Sequence, residues 1–185
     1  VHRRLALGGA EEVSRQTAIL FSRLGIHSHF FAEEHISQEW VCPDDPKVHL
    51  SLLPSGVRLW SKESAHYLLR TFKEQEIKVL IIPIALPNDY IPLFQSEGIK
   101  VIYWCHSSPL WELVDRRERA TYKAHHPWYK NLYSVTLRRL RLALSSEEQL
   151  RTRYRCLAHQ VDCFLTLTPG YIDEFVSALG LTPEE

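Results

Sequence analysis

The stretch KVLIIPIALPNDYIPLFQSEGIKVIYWCH (78–106) decides how the chain folds. It opens with KVLIIPIA (78–85) and closes with KVIYWCH (100–106), short runs rich in β-branched and aromatic residues. Their nearly continuous apolar character suits parallel strands covered on both faces. A helix is expected to follow Asn88 between them. Strand, helix, strand is the repeating unit of a parallel α/β sheet, and its crossover is right-handed.

Working outward, IHSHFFA (26–32) and DCFLTLT (162–168) read as further buried strands. VHRRLA (1–6) reads as the remnant of a strand, and VHLSLL (48–53) as a weaker one in a loop-like region. Helical stripes lie between the strands. Ala10, Val13, Thr17, Leu20 and Leu24 recur at three or four residues, with Gly25 as the stop. Ala65, Leu68, Leu69 and Phe72 form a second stripe; Ile172, Phe175, Val176 and Leu179 form a third, closed by Gly180. The expected fold is a Rossmann-like, doubly wound, mostly parallel α/β sheet, a single domain over residues 1–185.

Composition agrees with a folded domain: 45% of residues are apolar and 24% charged. Lys+Arg and Asp+Glu are both 22, which excludes a globally basic nucleic-acid binder but not a locally basic face. The zero is an average. Residues 107–161 interrupt the strand–helix rhythm with a basic helical insert. Between Arg116 and Arg155 eleven Lys and Arg face three acids, Glu118, Glu147 and Glu148, an excess of eight positive charges. The remainder of the chain carries the compensating eight negative charges.

No apolar run approaches the roughly 20 residues of a membrane-spanning helix, and VHRRLAL has no signal-peptide core. Cys42, Cys105, Cys156 and Cys163 show neither CxxC nor zinc-finger spacing. Cys105 and Cys163 lie in apolar strand-like runs, where a thiol acts as a small hydrophobe. Reduced cysteines and a cytoplasmic chain, peripheral to a membrane at most, are expected. The absence of any methionine and the clipped first strand lead us to expect an excised piece of a longer protein.

Ligands of open α/β sheets sit beyond the carboxyl ends of the strands. After the first strand come Gly8, Gly9, Ala10 and Glu11, running into a helix. The glycines permit either a simple turn or close backbone approach to an anionic group at the helix N–H groups. No Gly-Lys-Ser/Thr follows, and GxGxxG is absent. After 100–106 come His106, Ser107, Ser108 and Pro109. His106 is placed either to serve a substrate hydroxyl or to cap the next helix. Asn88 or Asp89 suits a helix cap better than a ligand. Thr168 suits an N-cap with Pro169 at the first helical position; a substrate contact from Thr168 or Tyr171 is the lesser reading. His27 and His29 share a strand face and His125 and His126 are adjacent, but no zinc-site spacing accompanies them. GxSxG is absent. Glu11 and Glu12 diverge by about 100° on a helix and cannot face one substrate as a pair.

Gly8-Gly9-Ala10-Glu11 at the head of an amphipathic helix, with the strand-terminal His106, resembles the amino-terminal domain of family 4 glycosyltransferases of the GT-B fold. LFSRLGIHSHFF and VDCFLTLTPGYIDEFVSALGL are similar to that family's first helix–strand step and its last strand and helix before the interdomain linker. The resemblance implies one half of a two-domain enzyme that moves a sugar from a nucleotide-sugar to an acceptor hydroxyl, with retention and no metal or cofactor. It implies the backbone of Gly8 and Gly9 at the donor diphosphate and His106 at the donor sugar or reacting centre. Glu11, Ser107, Asn88, Thr168 and Tyr171 become secondary or acceptor candidates. Glu12 departs from the basic residue common there. The nucleotide-sugar pocket and paired glutamates belong to a carboxyl-terminal domain beyond Glu185, so Val1–Glu185 alone is expected to be inactive.

The implied partners are a nucleotide-sugar and a saccharide or lipid-linked acceptor, as in polysaccharide or glycolipid synthesis. Leu137, Leu140 and Leu144, interleaved with Arg138, Arg139 and Arg141, suit either an anionic membrane surface or a solvated helix pair. Trp128, Tyr129 and Tyr133 within the insert leave open a nucleic-acid or protein binding module, although no such motif is present. Half of a nucleotide-sugar epimerase is a further alternative.

Overall fold

The computed structural model describes residues 2–5, 9–35, 42–59, 61–83, 89–106, 110–111, 113–114, 118, 127–138, 140 and 147–180. It is an α/β structure with parallel strands in open sheets, divided into two compact units. The first comprises Val1–His106 with Gln160–Leu165, the second Ser107–His159 with Thr166–Glu185.

In the first unit the order is β1 (His2–Leu5), α1 (Gly9–Arg23), β2 (Ser28–His35), β3 (Val48–Leu52), α2 (Lys62–Glu74), β4 (Val79–Ile82), α3 (Ile91–Ser96) and β5 (Lys100–Cys105). After α4 (Trp128–Tyr133) and α5 (Glu147–Gln160), β6 (Cys163–Thr166) returns beside β5. β1 pairs with β2, β2 with β3, and β4 with β5, all parallel. Among the described residues the strands form two three-stranded sheets, β1-β2-β3 and β4-β5-β6, rather than the single sheet expected. The described part of β1 is short, and its ladder with β2 begins only at His2 opposite Ala32.

The period-two alternation of β2 assigns its side chains to two layers. Phe30 and Ala32 join Leu5, Val48 and Ala18 of α1 in one cluster. Phe31 points the other way, edge-on to Phe72 of α2 at 5.3 Å; Phe72 in turn meets Phe94 of α3 at 5.7 Å. α2 starts from a reciprocal cap: Ser61 Oγ accepts from Ser64 N at 3.1 Å, and Ser64 Oγ accepts from Ser61 N at 3.0 Å. Its stripe Ala65, Leu68, Leu69 and Phe72 is buried as expected.

α1 differs. Ala18 and Ser22 are its buried residues, while Leu20 and Leu24 are 54% and 74% exposed. The buried face carries small side chains, so the expected stripe was out of phase by part of a turn. Gly25, at φ +83°, ends the helix in a left-handed conformation open to glycine. Asp45 ties the loop before β3 to this end, accepting from Ser22 Oγ at 2.5 Å and Lys47 N at 2.8 Å. These bonds hold its carboxyl below the usual carboxylate range.

The region 48–53 is a full strand, with every residue of β3 paired to β2. The other strands are trimmed versions of the expected runs, except that β2 continues to His35. The helix expected after Asn88 is the six-residue α3. β6 is fastened by Asp162, whose carboxylate accepts from Gln95 Nε2, Val101 N and Lys100 Nζ, each at 2.9 Å. Those donors, Gln95 first, hold its pKa far below the ordinary value. The four cysteines are free; Cys105 is buried, but Cys163 is exposed rather than packed as its apolar run suggested.

In the second unit, α5 packs against α6 (Pro169–Leu179) through Tyr154 and Phe175, with ring centroids 5.8 Å apart. Phe175 and Leu179 are buried, while Ile172 of the expected stripe is 52% exposed. A π-helical turn, Ser134–Arg138, continues α4. Among the described residues no helix is long and apolar enough to cross a membrane.

Phe72→Ala is expected to cost about 3–5 kcal/mol, because it opens a hole between two aromatic contacts. Leu20→Ala should stay within about 0.5 kcal/mol. Urea unfolding of both variants checks the corrected phase of α1; a larger loss at Leu20 would restore the original stripe.

Candidate functional site

The start of α1 and the end of β5 both belong to the first unit. Gly9 is the first residue of α1. A Cβ built on it meets nothing within 4 Å, and its backbone is not left-handed. No neighbour in the described structure therefore demands a glycine here. The first-turn N–H groups of a helix lack intrahelical acceptors and, with the helix dipole, favour an anion. Gly8 lies outside the described residues, as do Ser107 and Asn88.

Glu11 and Glu12 occupy the first turn of α1. Glu12 is turned along the helix, not left as an unpaired charge at its mouth. Arg15 grips both carboxylate oxygens, at 2.8 and 2.7 Å, and Gln16 donates to one at 2.7 Å. The Arg15 fork first, then Gln16, lowers the Glu12 pKa to about 2. A helix start that would otherwise repel an anion is thus partly neutralised four residues in.

His106 follows β5, whose Lys100–Cys105 alternate between exposed or half-buried and fully buried positions. The Trp104 ring lies against the imidazole at 4.6 Å between centroids. Both ring nitrogens of His106 are buried and, among the described residues, have no hydrogen-bond partner. Residues 107–109, where a helix capped by His106 would begin, lie outside the described residues. Burial lowers the His106 pKa, keeping the ring neutral near pH 7 with one donor and one acceptor nitrogen. Each unsatisfied polar group of this kind costs about 1–3 kcal/mol.

The sequence reading passed over His2. It is buried, 3% exposed, with its ring 6.2 Å from that of Phe30. Burial first, and the nearby His106 as well, lower its pKa. The half-buried imidazole of His106 thus bears on the buried one of His2. Nothing in VHRRLA separated His2 from His27 and His29, since all three occur in strand-like runs. On the same sheet the rings of His29 and His49 are 5.7 Å apart, and His29 Nε2 is 2.8 Å from Ser51 Oγ. Among the described residues no three His, Cys, Asp or Glu are grouped to hold a metal.

Thr168 and Tyr171 belong to the second unit. Thr168 has the extended backbone of an N-cap, with Pro169 following, but its side chain makes no capping bond; Tyr171 N donates to Thr168 O at 3.1 Å. In the same unit Arg151 and Arg155 of α5 donate to the Ala178 and Leu179 carbonyls at the end of α6. Glu147 and Glu148 hold the same guanidinium groups, at 2.6 and 2.9 Å. Two cations of the basic stretch therefore cap a helix. Trp128 is 76% exposed, and Tyr129, Leu132, Leu137 and Leu140 are each about half exposed.

His106→Phe, which keeps a ring against Trp104 and removes two unsatisfied nitrogens, should leave stability unchanged or raise it by about 1 kcal/mol. The lowered folded-state pKa values mean that the unfolded chain binds protons first. Stability is therefore full above pH 6.5 and falls as pH drops through the folded values. Denaturant titrations between pH 7 and 4 check both points; His106→Phe should flatten part of that slope.

No protein-family model matches the chain, and comparisons with curated proteins and with solved structures return no match.

Proposed function

We propose that this chain is the acceptor-side, Rossmann-like half of a retaining GT-B glycosyltransferase. The observation that carries this reading is His106: a neutral imidazole at the carboxyl end of β5 with two buried, unpartnered nitrogens. A polyhydroxylated ligand supplies the donors and acceptors that such a ring lacks. Gly9, whose missing Cβ is not required by any described neighbour, supports the second element, close approach of an anionic group to the start of α1.

In the proposed reaction the bond between the anomeric carbon and the diphosphate breaks, and the diphosphate takes the electron pair. The acceptor oxygen bonds the same carbon on the same face and gives up its proton to the departing diphosphate. Charge grows on the departing diphosphate, where N–H groups at the head of α1 stabilise it without reorganising. His106 orients a sugar hydroxyl at the reacting centre. The nucleotide pocket belongs, in this reading, to a second domain outside Val1–Glu185, so the donor sugar is selected there.

The exposed row of Trp128, Tyr129, Leu132, Leu137 and Leu140, set in the sequence that carries the basic excess, supports a lipid-linked acceptor approached from an anionic surface. The same aromatics are what a nucleic-acid module would use, and binding of single-stranded oligonucleotide separates the two readings. An epimerase half is separated by product analysis.

In the full-length protein, His106→Ala should lower transfer by about 10²-fold or more with the fold retained. Gly9→Ala should leave stability unchanged while weakening the donor's effect on rate, since the added methyl meets only the ligand. Unchanged transfer in a folded His106→Ala variant would remove the catalytic assignment. For the surface, sedimentation with anionic vesicles at low salt should exceed that with neutral vesicles and should fall on Trp128→Ser. Equal sedimentation with both ends the membrane part of the reading.

A further inference from the structure

His29 lies in β2 and His27 just before it, two residues apart, so strand alternation puts both on one face. The parallel ladder sets His49 of β3 directly opposite His29. Imidazoles from His27, His29 and His49 therefore share one face of the sheet at the amino ends of β2 and β3. The sequence displays only the His27–His29 pair, because the place of His49 is fixed by the register between strands.

The central ring stands between the other two. His49 is 5.7 Å from His29 and 6.5 Å from His27, centroid to centroid, and is nearly parallel to His27 at 23°. Two imidazoles bound tetrahedrally to one metal at about 2.0–2.1 Å have ring centres roughly 5 Å apart. The three rings are not gathered on one point as they stand. His27 and His49 are exposed, however, and exposed side chains change rotamer within nanoseconds.

His29 is the fixed member. Its ring stacks on Phe31 at 4.3 Å and 15°, and its Nε2 lies 2.8 Å from Ser51 Oγ. In the tautomer that donates from Nε2 to Ser51, the Nδ1 lone pair is left for a metal, the orienting contact that histidine ligands usually carry. Burial first, then His49, lowers the His29 pKa and favours the neutral ring that ligation requires. The Asp45 carboxylate interacts with the charge of His27 and adds negative potential on that side, which Lys47 offsets in part.

We propose that His29 and His49, joined by His27 on binding, hold a late transition-metal dication such as Zn²⁺, with water completing its coordination. Neutral imidazoles suit zinc, copper and nickel rather than magnesium or calcium. The ion would tie β2 to β3 at their amino ends. None of these histidines belongs to the proposed activity, and the inference does not rest on it.

The test titrates Val1–Glu185 with Zn²⁺ by calorimetry near neutral pH, records the spectrum of the Co²⁺ form, and repeats both with His49→Asn and His66→Asn. His66 is an exposed histidine of α2 whose Nδ1 lies 2.7 Å from Lys62 O. One ion should bind per chain and raise the thermal midpoint, and binding should weaken on acidification as the imidazoles take up protons. His49→Asn should lower affinity by about 10–100-fold with the metal-free midpoint unchanged, whereas His66→Asn should leave affinity as it is. Absence of binding overturns the proposal. So does binding that survives His49→Asn, or a thiolate charge-transfer band in the Co²⁺ form, which would assign the ion to a free cysteine.

Discussion

Parallel strands must satisfy their peptide groups on both edges and their side chains on both faces, and most of this structure follows from that demand. β2 carries it most fully. Its even-numbered Phe30 and Ala32 pack with Ala18 of α1, and Phe31 packs with Phe72 of α2, so helices on both sides are a condition of its burial. The crossover helices in turn return the chain to the same end of the sheet each time. Gly9 begins the helix that follows β1, and His106 follows β5 directly.

The charge division takes on a different meaning once contacts are assigned. In sequence the stretch from Arg116 to Arg155 is a block of excess positive charge. In the second unit, Arg151 and Arg155 terminate α6 by donating to its last carbonyls, and each is also paired with a glutamate. Cations at a helix carboxyl terminus oppose its dipole, and paired ones contribute little to a long-range field. The part of the stretch with surface character is instead the row through Trp128 and Leu137, where apolar side chains stand in water at a cost that a partner surface would relieve.

What the sequence disclosed depended on whether hydropathy and burial coincide. They coincide in β4, β5 and α2, and the reading of 78–106 as strand, helix, strand located them within a few residues. They part company in α1, where close approach to β2 selects Ala18 and Ser22 and leaves Leu20 outside; a stripe of large residues is then a misleading guide. β3 looked weak because His49 and Ser51 alternate with apolar residues, yet its backbone pairs fully with β2. Of the candidate site, the place of His106 after β5 was legible because the carboxyl end of a strand is readable from pattern alone. The burial of His2 was not, because it depends on Phe30 across the sheet. Nor was the Arg15 clamp that restrains Glu12, since an acid's neighbours on a helix reveal themselves only as rotamers.

His106 is a candidate site residue because of what its ring lacks among the described residues. A histidine selected for stability would settle its nitrogens on backbone groups or water, because leaving two buried polar atoms unpaired sacrifices a sizeable part of the 5–15 kcal/mol that keeps a typical domain folded. Burial against Trp104 excludes water from the ring and depresses its pKa, both of which make the folded chain less tolerant of acid. The same two effects give a neutral imidazole whose hydrogen bonds to an incoming hydroxyl are formed without displacing existing partners. The destabilisation and the readiness to bind have one cause, so a replacement ring that removes the first must remove the second.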